Sequence, residues 1–213
     1  VMSGVAVVTL GTSGDDVING TTGDLEYIFG FDGNDTIDGG PGYDRAVYNM
    51  ATEGISVVMS LKKADGSIQD GTVVGGASVG TDKLKNVESV IATDYADTLD
   101  ARGYYQASSL TAYWPNDFLP GGGDDIIYGS GNTRVNYENS LLGVRADVST
   151  GADALNAADK LLYDYFSLGK DTYNGGVTGI TGSSFADYLI GSANGDGNLV
   201  AEWFQGNAGN DTI

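Results

Sequence analysis

The chain has 213 residues, 41% of them hydrophobic, so it is long enough to bury a core. Its 29 acidic and 10 basic residues give a formal net charge of -19, which disfavours nucleic acid and anionic membranes as partners. Cysteine and histidine are absent, which excludes disulfides, histidine-ligated zinc and the usual Ser-His or Cys-His catalytic pairs. No apolar run is long enough to predict a transmembrane segment.

Nine-residue repeats open the chain. Glycine recurs at positions one and four, aspartate at position six and an aliphatic residue at position eight. The repeats are GTSGDDVIN (11–19), GTTGDLEYIF (20–29, one residue longer), GFDGNDTID (30–38) and GGPGYDRAV (39–47). In the longer repeat, Leu25 falls where the aspartate is expected.

Each repeat predicts a six-residue turn followed by a three-residue strand. Such a strand is too short to be stable alone and must pair with the next coil, about 4.8 Å away. Strand alternation places the position-eight side chains inside, where stacked coils bury them as a ladder. These side chains are Ile18, Ile37, Leu99, Ile127 and Leu189. The pattern predicts an all-β solenoid.

A longer period of about 90 residues lies above the nonapeptides. Related turns return at 92–100, 120–128, 182–190 and 206–213, and DLEYIF (24–29) matches SLTAYW (109–114) and NLVAEWF (198–204). The period predicts one module at 1–91, a second at 92–181 and the start of a third at 182–213, as expected for a piece of a longer protein. The spacers 48–91 and 137–181 are predicted as longer coils of one continuous rod, with a short helix at Asp153–Phe166.

The turns carry the groups that a hard cation needs. Ca²⁺ takes six to eight oxygens, mixing carboxylates with backbone carbonyls. Glycines let carbonyls converge, and the aspartate closes the site, so one turn supplies about half of a shell. Because each coil uses two turns, the stacked partners are turn n and turn n+2. This pairs Asp16 with Asp35.

These turns resemble the RTX (repeats-in-toxin, hemolysin-type calcium-binding) family, whose nonapeptide is G-G-x-G-x-D-x-U-x with U a large aliphatic residue. GFDGNDTID and GGPGYDRAV carry the resemblance, and GTDKLKNVESVIATDYADTL (80–99) is similar to spacers of long RTX proteins. The resemblance implies a right-handed parallel β-roll that folds on binding several Ca²⁺ ions. It also implies export of the unfolded chain by a type I secretion system.

The resemblance assigns the ligands to the carbonyls at positions two and four and to the carboxylate at position six. The residues are Thr12, Gly14, Asp16, Phe31, Gly33, Asp35, Gly40, Gly42, Asp44, Gly121, Gly123, Asp125, Asn207, Gly209 and Asp211. Asp97 and Asp187 match at position six, but Tyr95 and Phe185 replace the glycine at position four. The alternative is that the aspartates only cap their turns through hydrogen bonds.

Two further features have alternative interpretations. Arg134 falls at or beside a ligand aspartate, where it either takes the place of the ion or corresponds to Arg45 as a surface residue. Trp114 and Trp203 belong to aromatic clusters that either bind a partner from the surface or plug the core or close the side of the roll; we favour the second interpretation.

The sequence therefore predicts a calcium-binding structural or interaction module of a secreted or cell-surface repetitive protein, such as an adhesin, S-layer or matrix component. Its expected partners are calcium, adjacent modules or end-to-end copies of itself, and polysaccharide or a cell surface. The alternative is an accessory β-roll of a secreted protease, lipase or polysaccharide-modifying enzyme. No HExxH, GxSxG or P-loop motif is present, so any catalysis is expected elsewhere. Direct attack on polysaccharide by paired carboxylates is a third, weaker hypothesis.

Overall fold

A computed structural model describes residues 6–22, 25–104, 116–148, 169–191 and 202–213. Within these ranges the chain forms strands and no helix, so nothing there is a helix able to cross a membrane. The helix predicted at Asp153–Phe166 lies outside the described residues.

The strands are short, as the nonapeptide period predicts. In chain order they are β1 (Val7–Leu10), β2 (Val17–Asn19), β3 (Leu25–Phe29), β4 (Thr36–Asp38), β5 (Tyr43–Val47), β6 (Ser56–Val58), β7 (Leu61–Lys62), β8 (Ile68–Gln69), β9 (Gly71–Val74), β10 (Thr81–Lys85), β11 (Ser89–Ile91), β12 (Thr98–Asp100), β13 (Asn116–Leu119), β14 (Ile126–Tyr128), β15 (Thr133–Asn136), β16 (Arg145–Asp147), β17 (Thr172–Tyr173), β18 (Val177–Thr181), β19 (Tyr188–Ile190) and β20 (Trp203–Gln205).

Two eight-stranded sheets receive most of these strands. Sheet 1 has the order β1-β3-β5-β11-β13-β15-β18-β20, and all its pairs are parallel. Sheet 2 has the order β2-β4-β10-β9-β6-β12-β14-β17. Through the first repeats the chain alternates between the sheets, so each coil adds one strand to each. The prediction of an all-β fold built from parallel strands is confirmed.

The first spacer departs from simple coiling. Strand β9 runs antiparallel to both β6 and β10, while β6 pairs in parallel with β12 and β10 with β4. The hairpin of β7 and β8 lies between β6 and β9. The spacer therefore widens sheet 2 by two strands at a place where β5 and β11 are direct neighbours in sheet 1.

The core lies between the two sheets. The predicted ladder is confirmed, because Ile18, Ile37, Leu99, Ile127 and Leu189 are all buried. Sheet 1 contributes a matching ladder whose members are fully buried: Ile28, Ala46, Val90, Phe118, Val135 and Ile180. Two aliphatic ladders facing each other leave the turns at the edges of the sheets to carry the polar groups.

The strand pairings recur about 90 residues along the chain. Arg45 pairs with Ser89 in β11, and Arg134 pairs with Gly179 in β18. Likewise β6 pairs with β12, and β16 pairs with β19. The segment SLTAYW (109–114) lies outside the described residues, and the strand that follows it in sheet 1 is β13.

Candidate metal centre

Aspartates stand at or directly before the start of six strands of sheet 2, and we call them the aspartate row. Asp16 and Asp35 are adjacent in it, because the Asp16 N–H donates to Asp35 Oδ1 (2.9 Å). The Thr36 N–H in turn donates to the Asp16 carbonyl (2.9 Å). The predicted pairing of turn n with turn n+2 is confirmed at this position. The row comprises Asp16, Asp35, Asp82, Asp97, Asp125 and Asp171, and the same arrangement places Asp187 beside Asp211.

One kind of turn satisfies its own carboxylate, and we call it closed. In the turn 92–97, the Thr93 N–H donates to Asp97 Oδ2 (2.9 Å) and the Thr93 hydroxyl donates to Oδ1 (2.9 Å). The same hydroxyl accepts from the Tyr95 N–H (3.0 Å). In the turn 182–187, the Ser183 N–H and hydroxyl likewise donate to Asp187, and the hydroxyl accepts from the Phe185 N–H. Thr12 likewise holds Asp16 (2.6 and 2.9 Å). These turns match the alternative in which an aspartate caps its own turn.

A second kind of turn has no hydroxyl at position two, and we call it open. The open turns are 30–35, 39–44, 120–125 and 206–211, and each has positive φ at positions two and four. In the first of them φ is 68° at Phe31 and 121° at Gly33. Such a backbone bends the carbonyls of these positions around the turn.

Buried carboxylate oxygens lack donors in three of the open turns. These oxygens are Asp35 Oδ2, both oxygens of Asp44, and Asp125 Oδ2. Leaving a buried charged acceptor without a partner is strongly unfavourable, so a missing positive group is indicated at each place.

The glycines of the repeat are required by close approach. A Cβ on Gly30 would lie 2.2 Å from Asp35 Oδ2, and one on Gly33 would lie 2.7 Å from the carbonyl carbon of Gly14 in the turn before. Tyr95 and Phe185 are tolerated at position four, where their side chains are about half exposed. In the stack of strands, the turns of Tyr95 and Phe185 lie next to β6 and β16, and neither of these two strands is preceded by a nonapeptide turn.

Sheet 1 has an acidic row of its own that the repeat count missed. Glu26, not Leu25, pairs with Asp44, because the ten-residue repeat shifts the acid by one position. The placement of Leu25 at the aspartate position was therefore wrong. Glu26 is fully buried and accepts from the Thr21 N–H (2.7 Å), while Glu88 accepts from the Asp44 N–H (2.9 Å).

Two members of the aspartate row come from the spacers and were also missed. Asp82 accepts from the Asp35 N–H (2.9 Å), and Asp171 accepts from the Asp125 N–H (3.1 Å). A sequence signal was present, because each acid stands two positions before a buried core residue, Leu84 and Tyr173. That signal is the last part of the nonapeptide without its glycine-rich start.

Burial raises the pKa of these acids when no cation is present. Desolvation, with the nearby carboxylates of Glu88 and Glu26, raises the pKa of Asp44 to about 8. Desolvation also raises the pKa of Glu88 to about 7 and that of Asp82 to about 6. Burial, with the nearby Asp171 carboxylate, also raises the pKa of Asp125.

Arg134 lies away from both acidic rows. It occupies the place of Arg45 on sheet 1 and makes a two-pronged contact with Asp117 (2.7 and 2.8 Å), which Arg45 also approaches (3.3 Å). The Arg134 side chain is 12% exposed, so it matches Arg45 but is not a surface residue. Trp203 does not fill the interior: it is 46% exposed, with the Arg134 guanidinium 5.7 Å from its ring. Trp114 lies outside the described residues.

The donor set suits calcium. Within the described residues, no three acidic side chains gather into a metal-binding group, so carboxylates alone do not form the site. The open turns 30–35, 39–44 and 120–125 instead each offer one buried carboxylate beside a backbone whose carbonyls can converge, with no nitrogen or sulfur ligand. An all-oxygen set that combines carboxylate and carbonyl groups is the one that Ca²⁺ prefers.

Comparison with known protein families identifies the repeats. The model of the RTX calcium-binding nonapeptide repeat matches in four copies, at residues 10–24, 27–46, 120–133 and 196–213. All four open turns fall within these copies, as does the closed turn 11–16, whereas the closed turns 92–97 and 182–187 fall outside them. No curated protein matches the chain significantly. The chain thus carries the RTX calcium-binding nonapeptide repeat in these four copies.

Proposed function

We propose that the chain is a calcium-dependent structural module of a secreted, repetitive protein, and that it folds as Ca²⁺ binds at the open turns. The calcium-binding character follows from the repeat family. The observation that carries the rest is the set of buried oxygens on Asp35, Asp44 and Asp125 that have no hydrogen-bond donor.

In each open turn, the proposed ligands are the carbonyls at positions two and four with the carboxylate at position six. The turn 30–35 supplies Phe31, Gly33 and Asp35, and the stacked turn 11–16 supplies the other side of the shell through Thr12 and Gly14. The turn 39–44 does the same through Gly40, Gly42 and Asp44. The corresponding groups are Gly121, Gly123 and Asp125 in the turn 120–125, and Asn207, Gly209 and Asp211 in the turn 206–211.

Calcium is proposed to act as a folding ligand. A buried, unpaired carboxylate is unfavourable, and Asp44 has Glu26 and Glu88 beside it in sheet 1. The ion removes this repulsion only where the turns are stacked, so its binding free energy becomes folding free energy. Extracellular modules of this kind bind calcium with dissociation constants on the order of 10⁻⁴–10⁻³ M.

The setting follows from the family and from the architecture. RTX repeat proteins are typically secreted, and export as an unfolded chain suits a fold that forms only in millimolar calcium. We place the chain in a cell-surface or matrix protein such as an adhesin or S-layer component, as a non-catalytic, right-handed roll that contacts adjacent modules. Sheet 1 supports this placement, since it runs without a break from β1 to β20.

Circular dichroism tests the proposal directly. The full chain in chelator is expected to lack the strand signal and to gain it at about 10⁻⁴–10⁻³ M calcium, whereas equal magnesium restores little because it demands a tighter octahedral shell. Asp65→Asn is the matched control, because Asp65 is exposed in the hairpin between β7 and β8 and bonds only locally to Ser67. A full strand signal in chelator would contradict calcium-coupled folding.

A further inference from the structure

The spacer acid Asp82 accepts a hydrogen bond from a tyrosine. Asp82 is fully buried, and its Oδ1 accepts from the Asp35 N–H. Its Oδ2, the oxygen that is left without a donor in Asp35, accepts from the Tyr48 hydroxyl (2.9 Å). Tyr48 directly follows β5, so a residue leaving sheet 1 satisfies an acid that enters sheet 2.

The same pair occurs about 90 residues later. Asp171 is 2% exposed, its Oδ1 accepts from the Asp125 N–H, and its Oδ2 accepts from the Tyr137 hydroxyl (2.6 Å). Tyr137 directly follows β15, as Tyr48 follows β5. The Tyr173 hydroxyl lies 2.6 Å from the Tyr137 hydroxyl. Residue Tyr173 has the position in the second spacer that Leu84 has in the first.

We propose that Tyr48 and Tyr137 hold the places of calcium ions, so that Asp82 and Asp171 complete the aspartate row without binding metal. The tyrosine hydroxyl donates to the oxygen that a cation would otherwise contact, and the spacer coil closes without an ion. This inference rests on the proposed calcium sites of the open turns and states where those sites stop.

The neighbours in the row show what the tyrosine changes. Asp35 and Asp82 are adjacent and buried, and the Oδ1 of each accepts from the N–H of the preceding row member. They differ in the second oxygen, which has no donor in Asp35 and a hydroxyl in Asp82. Asp125 and Asp171 repeat the same difference.

A buried tyrosine hydroxyl usually finds an acceptor, so a single pair would be an ordinary core hydrogen bond. Two observations favour the larger role. The pair recurs at the same place in both spacers, and each time it follows an open turn. Along the row, the aspartate of a closed turn is followed by that of an open turn and then by an aspartate bonded to a tyrosine. This order occurs in Asp16, Asp35 and Asp82, and again in Asp97, Asp125 and Asp171.

Calcium counting with the full chain tests the inference. Asp82→Asn is expected to bind as many calcium ions as the wild type, because an asparagine oxygen still accepts from the Asp35 N–H and its amide donates to the Tyr48 oxygen. Asp35→Asn, with the same charge change one turn away, is expected to lose bound calcium or to raise the calcium midpoint by about tenfold or more. Equilibrium dialysis and titration measure both quantities, and Asp171→Asn with Asp125→Asn provides a second matched pair.

A loss of calcium in Asp82→Asn or Asp171→Asn equal to that in its neighbour would overturn the inference. A wild-type chain that binds no calcium would instead overturn the proposed function, so the two failures are distinct. Tyr48→Phe supplies the second readout. It is expected to lower stability in saturating calcium, and to do so by less when combined with Asp82→Asn, since the two residues are directly coupled. Additive effects would mean that the hydroxyl does not act through Asp82.

Discussion

The turns 30–35 and 92–97 show two solutions to one problem. Each ends in an aspartate that is buried at the edge of sheet 2, and one oxygen of each aspartate accepts from a backbone N–H of the neighbouring coil. In the turn 92–97 the Thr93 hydroxyl and N–H occupy the remaining acceptor sites of Asp97. In the turn 30–35 Phe31 has no such group, its φ is 68°, and Asp35 Oδ2 is without a donor.

The difference teaches that position two, and not the aspartate itself, separates the two kinds of turn. A serine or threonine there donates twice to the acid and accepts from the N–H of position four, so it fills the turn from within. Phenylalanine, glycine or asparagine leaves that space to another group. The acid of a closed turn then has its donors within the turn, whereas the acid of an open turn depends on a cation.

The largest expected effect is a reversal of sign at Asp44. Because both of its oxygens lack donors and acids surround it, Asp44→Asn is expected to stabilise the chain without calcium by about 1–3 kcal/mol and to destabilise it in saturating calcium. Asp97→Asn is expected to destabilise in both conditions, since Asp97 already has its donors. Urea unfolding at a series of calcium concentrations that fold each variant, extrapolated to zero calcium, measures both effects. Destabilisation by Asp44→Asn in that extrapolation would break the comparison.

The dependence on pH is expected to follow the raised pKa values. An acid whose pKa is higher in the folded chain favours the protonated folded state, so without calcium the free energy of unfolding falls as pH rises from about 4 to about 8. Protons compete with calcium, so the calcium midpoint is expected to rise as pH falls below about 8. Calcium titrations across this range test the sign, and Asp44→Asn is expected to weaken the dependence.

Removal of a closing hydroxyl is expected to have a smaller effect that does not depend on calcium. Thr93→Val keeps the shape of the side chain but removes the donor to Asp97, and is expected to cost about 1.5–3 kcal/mol because the acceptor is charged. Thr98→Val on the neighbouring strand β12 is the control. A loss that appears near the calcium midpoint but disappears in saturating calcium would mean that the closed turn also takes an ion.

The smallest effect is expected at Phe31. Its positive φ is unfavourable for a bulky residue, and asparagine tolerates this region and stands at the same place in the turn 206–211. Phe31→Asn removes the stacking on Phe29 (5.8 Å), so its net effect on the free energy of unfolding is expected to stay within about 1 kcal/mol. The calcium midpoint should change little, whereas Phe31→Ser, which introduces a closing hydroxyl, is expected to raise it.

The sequence predicts the repeating part of the molecule well. A strict nine-residue period determines which turns stack, so the adjacency of Asp16 and Asp35 and the buried ladder of Ile18 and Ile37 follow from counting. Counting fails where a repeat gains a residue, as at Glu26, because the register of the sheet pairs Glu26, and not Leu25, with Asp44.

The spacers could not be predicted by the same reasoning. Their strands are placed by pairing with distant strands, and the antiparallel β9 has no counterpart in the nonapeptide pattern. Asp82, Glu88 and Asp171 keep only the acid and the core residue two positions later, a signal too short to stand out alone. The division into open and closed turns is visible at position two, but its meaning depends on hydrogen bonds that only the folded turn shows.

The most direct test counts calcium ions in two matched double variants. Asp35→Asn with Asp125→Asn alters two open turns, and Asp97→Asn with Asp187→Asn alters two closed turns with the same change in charge. Equilibrium dialysis of the full chain is predicted to show fewer bound ions in the first variant and the wild-type number in the second. Equal losses in both variants, or a loss confined to the second, would contradict the account.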